Sequence, residues 1–240
     1  MKHSMELQKV HIWLRTAVLG VALAGVLSGC ASADESDGAE DADPNAEAAA
    51  QLSQAQIVQF NEAKVVPERS ESGTYSTLAT VRRMEELREK ATVDKADCMD
   101  AVNRWGRLAA VRQAPASLAT FVDGDATITH LLIELSDSES ERALATEVPE
   151  ECASYTASVG GEEATSYHVN ELDLAQIGAG SRAFLVTSGP EGQRTRMHNL
   201  TYRGDGYLGV TAVLNGGEDA EETLVEFTKT ALERERTVLS

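Results

Sequence analysis

The chain has 240 residues and a formal net charge of −18 at pH 7, with 39 acidic residues against 21 Lys and Arg. So acidic a composition argues against a nucleic-acid partner, because releasing counterions from phosphates requires a basic face. It also disfavours flat contact with anionic lipids, and its simplest effect is to keep the protein soluble.

The first thirty residues have the pattern of a bacterial lipoprotein signal. A basic region precedes an apolar stretch, 17–27, that is too short to span a bilayer as a helix. The run Leu27-Ser28-Gly29-Cys30 looks like a lipobox, in which small residues admit the peptidase and the Cys30 thiol accepts a diacylglyceryl group. An ordinary secretory signal with a chance cysteine is the alternative. We expect residues 1–29 to be removed and acyl chains such as palmitate to anchor Cys30 at the extracytoplasmic face of the cell membrane.

An acidic segment follows the proposed anchor. Residues 31–50 carry no base, and apart from their acids they are mostly Ala, Ser, Gly and Pro. Such a segment buries too little apolar surface to fold, and its charges repel one another. We therefore predict a disordered tether over 30–50 and a single folded domain over 51–240. The acids of the tether are Asp34, Glu35, Asp37, Glu40, Asp41, Asp43 and Glu47.

Three cysteines occur in the chain. If Cys30 is lipidated, Cys98 and Cys152 remain as an even pair in an oxidising compartment, which favours a disulfide between them. A metal pair and a reactive thiol are the alternatives. Neither cysteine has a CxxC neighbour or a nearby His, which argues against metal binding.

Helices are predicted at the start of the domain. The spacing of Ser53 and Gln56 resembles a capping box and predicts a short helix from there. Apolar residues at near-helical spacing predict a second helix over 77–90. A third helix, capped by Asp94, would carry an apolar stripe on which Trp105 is a core residue. The stripe comprises Cys98, Ala101, Val102, Trp105, Leu108 and Ala109.

After Pro115 the pattern turns to strands. Strands are predicted at 127–135, 152–159, 166–173 and 182–188, with a short helix over 139–148 that Pro149 ends. The segments 194–203 and 207–214 flank Gly204-Asp205-Gly206 and form the strongest hairpin signal. A final helix follows, with acids in its first turns and Arg234 and Arg236 near its end. The fold class is α+β, a mostly antiparallel sheet packed with N-terminal helices and a C-terminal helix.

This order of elements resembles a known family. The lipobox, the acidic linker, a helix bearing Cys98, and a short helix ending in Pro149-Glu-Glu-Cys152 are similar to extracytoplasmic lipoproteins of actinobacteria related to the PknH-like kinase sensor domain. The resemblance covers 52–240 and rests mainly on the two cysteines and the Ser-Glu-Ser-Glu-Arg-Ala run before Cys152. It implies a sheet bent around a cleft proposed to bind a ligand. The chain departs from the family in having no kinase and one disulfide rather than two, so neither signalling nor any binding residue carries over.

Residues that could carry chemistry are sparse. His130, His168 and His198 lie singly on predicted strands without metal-ligand spacing, and we expect half-exposed sheet residues, although their convergence in space stays open. The pairs Glu150-Glu151 and Glu162-Glu163 fall in wet loops where catalysis is not favoured. Asn199-Leu200-Thr201 matches a glycosylation sequon, which we interpret as chance. We predict no catalytic residue, no metal site and no cofactor.

Three hypotheses of function remain. A non-enzymatic, membrane-tethered sensor-like or ligand-binding domain predicts a sizeable apolar pocket with a few polar groups. A protein-interaction or envelope-assembly module predicts a flat exposed patch. A hydrolase acting on the envelope predicts converging titratable groups in a cleft. The sequence names no partner beyond the membrane reached through Cys30, and leaves open a small molecule, a lipid or an envelope protein.

Overall fold

A computed structural model describes residues 43–190 and 194–239. Cys30, the signal segment and most of the acidic tether lie outside the described residues. Within the described ranges, no helix is long and apolar enough to cross a bilayer.

The described chain folds as one antiparallel sheet with helices on both faces, which confirms the predicted α+β class. The helices are α1 (Ala46–Ala55), α2 (Ala79–Lys90), α3 (Ala109–Gln113), α4 (Asp137–Leu144) and α5 (Ala220–Val238). The strands are β1 (Gln59–Phe60), β2 (Ala63–Val65), β3 (Glu71–Thr74), β4 (Ala91–Val93), β5 (Pro115–Asp123), β6 (Ala126–Glu134), β7 (Ser154–Val159), β8 (Thr165–Leu172), β9 (Ser181–Ser188), β10 (Thr195–Arg203) and β11 (Tyr207–Leu214). Their order across the sheet is β1-β2-β5-β6-β11-β10-β9-β8-β7-β4, and β3 also pairs with β5.

Strand alternation gives the sheet two different faces. On β6, Ile128, His130 and Leu132 point to the face covered by α1 and α5, where Leu224 and Phe227 complete the core. We call this the α5 face. The intervening residues, such as Leu131 and Ile133, point to the opposite face, which packs against residues of α2, α3 and α4. We call this the cleft face.

Two turns that contain glycine join the central strands. Gly124 joins β5 to β6 with a φ of +55°, and Gly206 joins β10 to β11 with a φ of +77°. Both values lie in the left-handed region, which glycine enters without a steric penalty. The hairpin of β10 and β11 is confirmed, with Asn199 opposite Ala212.

The predicted start of the domain is wrong in two respects. The tether was expected to reach residue 50, but α1 begins at Ala46 and buries Ala49. Alanine has the highest helix propensity, and the single acid of the segment, Glu47, lies in the first turn, where a negative charge complements the helix dipole. The expected capping box is also wrong, since Ser53 lies inside α1 and Gln56 follows its last residue.

The predicted third helix is wrong as a continuous α-helix. From Asp94 onward the chain instead forms 3-10 turns at Ala96–Cys98 and Ala101–Arg107, and the short helix α3 begins only at Ala109. The backbone at Asn103 breaks the helical path, with φ −120° and ψ 24°. Trp105 is buried as predicted. Most apolar side chains of the predicted stripe are buried, as their spacing predicts. The segment nevertheless packs against the sheet as 3-10 turns and not as a regular α-helix.

Candidate functional site

A cavity of about 260 Å³ lies between the cleft face of the sheet and a roof formed by α2 and the turn at Ala101–Arg107. Small-molecule sites in proteins measure roughly 300–1,000 Å³, so this cavity is of modest size. Its floor is apolar and comes from Leu118, Leu131, Val210, Ala212 and Met197, with Thr129 and Asn199 among them. Its roof and walls include Tyr75, Leu78, Val81, Met84, Arg88, Asp100, Asn103 and Trp105. We call this space the cleft.

Polar atoms without partners concentrate around the cleft. Among the described residues, five buried side-chain polar atoms have no hydrogen-bond partner. Four of them belong to residues that line the cleft: Arg88 Nε, Asn103 Oδ1, Trp105 Nε1 and Asn199 Oδ1. Buried polar atoms are paired in the great majority of cases, because leaving one unpaired costs about 1–3 kcal/mol. Their concentration around one apolar cavity is the signature of a site built to hydrogen-bond something inside it.

Charges near the cleft are partly neutralised. Asp100 accepts from both Arg88 and Arg107, the latter at 3.2 Å, and Arg112 pairs with Glu85. Arg107 does not line the cleft itself, so two guanidinium groups and two carboxylates line it. The charged side chains of the cleft are therefore balanced, in a protein whose net charge is −18.

Tyr75 shapes one wall of the cleft. Its ring lies 6.0 Å from that of Trp105, centroid to centroid. A Cβ at Gly106 would stand 2.6 Å from the Tyr75 hydroxyl, so only glycine permits this close approach. Burial, with the Asp100 charge adding to it, raises the pKa of Tyr75 to about 12. The phenol is therefore neutral at physiological pH.

A second cavity of about 190 Å³ adjoins the cleft. Four residues line both spaces and so lie at their junction: Met84, Asp100, Asn103 and Met197. Beyond the junction the walls are almost entirely apolar or aromatic. They comprise Met99, Ala101, Val102, Tyr155, Tyr167, Val169 and Val186. The rings of Tyr155 and Tyr167 stack with centroids 5.0 Å apart.

The cysteine pair lies beside this second cavity. The sulfurs of Cys98 and Cys152 are bonded across 54 residues, and both side chains are fully buried. They belong to the same apolar cluster as Tyr155, Val169 and Phe184. The bond thus ties the turn that precedes the roof segment to the start of β7.

The α5 face carries a buried polar network. Tyr202 and Tyr207 each donate to the carboxylate of Glu235, both at 2.6 Å. His130 contacts the Tyr202 hydroxyl at 2.9 Å and the side-chain oxygen of Gln56 at 2.6 Å. Because the amide nitrogen of Gln56 donates to two carbonyl oxygens, its oxygen is an acceptor. His130 Nδ1 therefore donates to Gln56, and His130 Nε2 lies 3.3 Å from the Glu235 carboxylate.

A cavity of about 440 Å³ lies outside this network, between α4, the β10–β11 turn and the end of α5. It is larger than the cleft, but Glu235 in its wall already has its hydrogen bonds, and no unpaired buried side-chain atom of the described residues lines it. We therefore place the candidate site at the cleft rather than here.

The three histidines differ in how deeply they are buried. His130 is fully buried, so the expectation of a half-exposed residue is wrong for it, and the network above explains why. His198 is also buried, and burial lowers its pKa. His168 is half-buried, as expected. Across residues 43–190 and 194–239, no three His, Cys, Asp or Glu side chains come together in a way that could hold a metal ion.

The polar residues of the cleft were not predicted as site residues from the sequence. Asn199 was interpreted only as a chance sequon, and its side chain is in fact 2% exposed. An informative signal was present, since Asn199 occupies an inward position in an alternating strand and strands are depleted in Asn. Arg88 and Asn103 gave no comparable signal, because arginine on a helix and asparagine in a turn are usually solvated.

No family model matches the chain, and no curated protein matches its sequence. Solved structures that are similar to it include the following two. The extracellular domain of PknH from Mycobacterium tuberculosis is 7% identical, with a TM-score of 0.45 over 60% of this chain and 78% of that one. A Mycobacterium smegmatis protein, the Rv0999 ortholog, is 17% identical, with a TM-score of 0.47 over 81% of this chain and all of that one. The extracellular domain of PknH is thus among the solved structures to which the chain is similar.

Proposed function

We propose that the chain is a membrane-anchored extracytoplasmic lipoprotein whose folded domain binds a small ligand in the cleft and does not transform it. The observation that carries this proposal is the set of four unpaired polar atoms around one apolar cavity. A ligand can pair with these atoms, which have no partner among the described protein groups. Binding sites of this kind are apolar cavities with a few placed polar groups.

The chemistry of the cleft favours binding over catalysis. The carboxylates at its wall, Asp100 and Glu85, are occupied by arginine partners. Tyr75 is held in its neutral form by the raised pKa of its phenol. General acid–base catalysis needs a group that exchanges protons near the working pH, which the Tyr75 phenol does not provide.

The anchor is the second part of the proposal. The lipobox ending at Cys30 supplies a route to the membrane, and a disulfide between Cys98 and Cys152 suits an oxidising, extracytoplasmic compartment. The tether before Asp43 would place the cleft at some distance from the lipid surface.

A protein-interaction module is less well supported. The large apolar side chains that are exposed among the described residues are Val58, Met84 and Leu214. Met84 belongs to the cleft wall, Val58 lies in the bend before β1, and Leu214 is the last residue of β11. They do not form the broad apolar patch that marks a docking surface.

Native mass spectrometry of the exported full chain carrying Cys30→Ser tests the proposal, because that variant accepts no covalent lipid. We expect a non-covalent adduct in the parent, its loss in Asn199→Leu, and its retention in Asn170→Leu, an exposed control on β8. Asn199→Leu should fold at least as stably as the parent, because it removes an unpaired buried amide oxygen. A clean apo mass in the parent, or an adduct that survives Asn199→Leu, would overturn the assignment of the cleft.

A further inference from the structure

We infer that the ligand of the cleft is an uncharged carboxamide joined to an apolar group. The inference rests on the proposed function and adds the chemical class of the ligand. Three features of the cleft carry it: the kinds of polar atom that lack a partner, the balance of the charged side chains, and the apolar floor beside them.

The unpaired polar atoms of the cleft are donors and acceptors in equal number. Trp105 Nε1 and Arg88 Nε can only donate a hydrogen bond. Asn103 Oδ1 and Asn199 Oδ1 can only accept one. A primary carboxamide carries two N–H donors and a carbonyl oxygen with two lone pairs. It therefore matches the cleft in both kinds, whereas a carboxylate, an ester or an ammonium group offers only one.

The charged side chains of the cleft already pair with each other. Arg88 bonds Asp100, and Arg112 bonds Glu85. A charged ligand would find no unbalanced side-chain charge in the cleft, and it would lose its hydration on entering. An uncharged polar group avoids that cost and leaves both ion pairs intact.

The floor beside these polar atoms is apolar. Asn199 of β10 lies opposite Ala212 of β11, and Val210 is the next residue along β11 on the same face. Beyond them, Val210 pairs with Leu131 of β6, and Leu131 pairs with Leu118 of β5. At about 4.8 Å between neighbouring strands, this floor extends about 14 Å from β10 to β5. A ligand whose carboxamide bonds Asn199 places its remaining atoms against these side chains, so that part of the ligand is apolar.

A series of eight-carbon compounds tests the chemical class, with the emission of Trp105 as the readout. We would titrate the exported full chain carrying Cys30→Ser at pH 7 with octanamide, methyl octanoate, octanoate and octylammonium. The same titrations of Trp105→Phe give the baseline, because Trp13 is the other tryptophan of the sequence. We expect octanamide to bind at least tenfold more tightly than each of the others, since it alone is uncharged and both donates and accepts.

Two variants and a second series separate the carboxamide from the apolar group. Asn199→Leu removes one acceptor, so it should weaken octanamide at least tenfold and leave methyl octanoate unchanged. Asn170→Leu, the same change at an exposed position of β8, should bind octanamide as the parent does. From butanamide through hexanamide to octanamide, affinity should rise about tenfold for every two methylenes added. Circular dichroism of each variant checks that it folds.

The outcomes keep this inference distinct from the proposed function. Equal affinity for octanamide and any of its three analogues, an affinity independent of chain length, or unchanged octanamide binding by Asn199→Leu would overturn the carboxamide inference. So would the absence of a response to every compound. If a native adduct that Asn199→Leu abolishes were found in that case, the ligand-binding proposal would stand, and without such an adduct both would fall.

Discussion

Glu235 joins the buried polar side chains of the α5 face into one network. Its fully buried carboxylate accepts from Tyr202 and Tyr207 and faces His130. Removing one partner from such a set leaves the others uncompensated in a medium without water. The cost is therefore larger than the net contribution of any one hydrogen bond.

We expect Glu235→Ala to lower the free energy of unfolding by about 3–5 kcal/mol. Urea denaturation measures it. Glu233→Ala is the matched control, since Glu233 is exposed on the same helix and its loss should stay within about 0.5 kcal/mol. Equal effects of the two substitutions would contradict the role assigned to the network.

Buried tyrosines make the domain sensitive to alkali. Burial raises the pKa of Tyr75 and Tyr155 to about 12 from an ordinary value of 10.0. The unfolded chain loses these protons from pH 10 upward while the folded chain keeps them. The stability that they contribute is thus complete below pH 10 and falls as the pH rises toward 12, by about 2–3 kcal/mol for Tyr75 and by less for Tyr155, whose charged form is better screened by solvent.

Urea denaturation at pH 8, 10 and 11 measures this loss. Tyr75→Phe removes one titrating group, so its stability should fall less steeply above pH 10 than that of the parent. If the stability of parent and variant fell equally steeply with pH, Tyr75 would have the same pKa in the folded and unfolded states.

Among the elements, those with a strong local pattern could be predicted from sequence. β6, the hairpin of β10 and β11, and α5 all appear near their predicted bounds. Each combines regular apolar spacing with a glycine turn or a helix end of the right charge. β5 was missed although it is buried along most of its length, because a short apolar run gives no periodicity that distinguishes strand from helix.

The candidate site could be predicted far less well. Its roof depends on the break in the helical path at Asn103, which local sequence does not reveal. The unpaired atoms of Trp105 and Asn199 become visible only when α2 is packed over the sheet. These atoms point to a binding site only because tertiary contacts bring them together. Each residue taken alone has an ordinary structural explanation.

The disulfide fixes the element that forms this roof. We expect the double variant Cys98→Ala, Cys152→Ala to lose about 4 kcal/mol of stability, the chain-entropy value for a loop of 54 residues. Denaturation with and without a thiol reductant measures the loss. The reductant should lower the stability of the parent to that of the variant and leave the variant unchanged. If the reductant did not change the stability of the parent, the bond would be absent or would not stabilise the domain.

For the whole molecule, charge and anchoring must be considered together. A net charge of −18 repels the domain from anionic lipid, so the folded part has no electrostatic reason to stay at the membrane. Retention would then depend on acyl chains attached at Cys30. Each buried methylene contributes about 0.8 kcal/mol of membrane affinity, and two or more chains are needed for stable anchoring.

We therefore expect Cys30→Ser to move the protein from the membrane pellet to the soluble fraction after export and centrifugation. Ser28→Thr, a change two residues before the cysteine that preserves the acceptor thiol, serves as the comparison and should leave acylated protein in the pellet. Radiolabelled palmitate should enter the parent and not Cys30→Ser. If Cys30→Ser remained in the pellet, the anchor would have to lie in the protein itself, and the acidic domain would need a membrane or protein contact that its charge argues against.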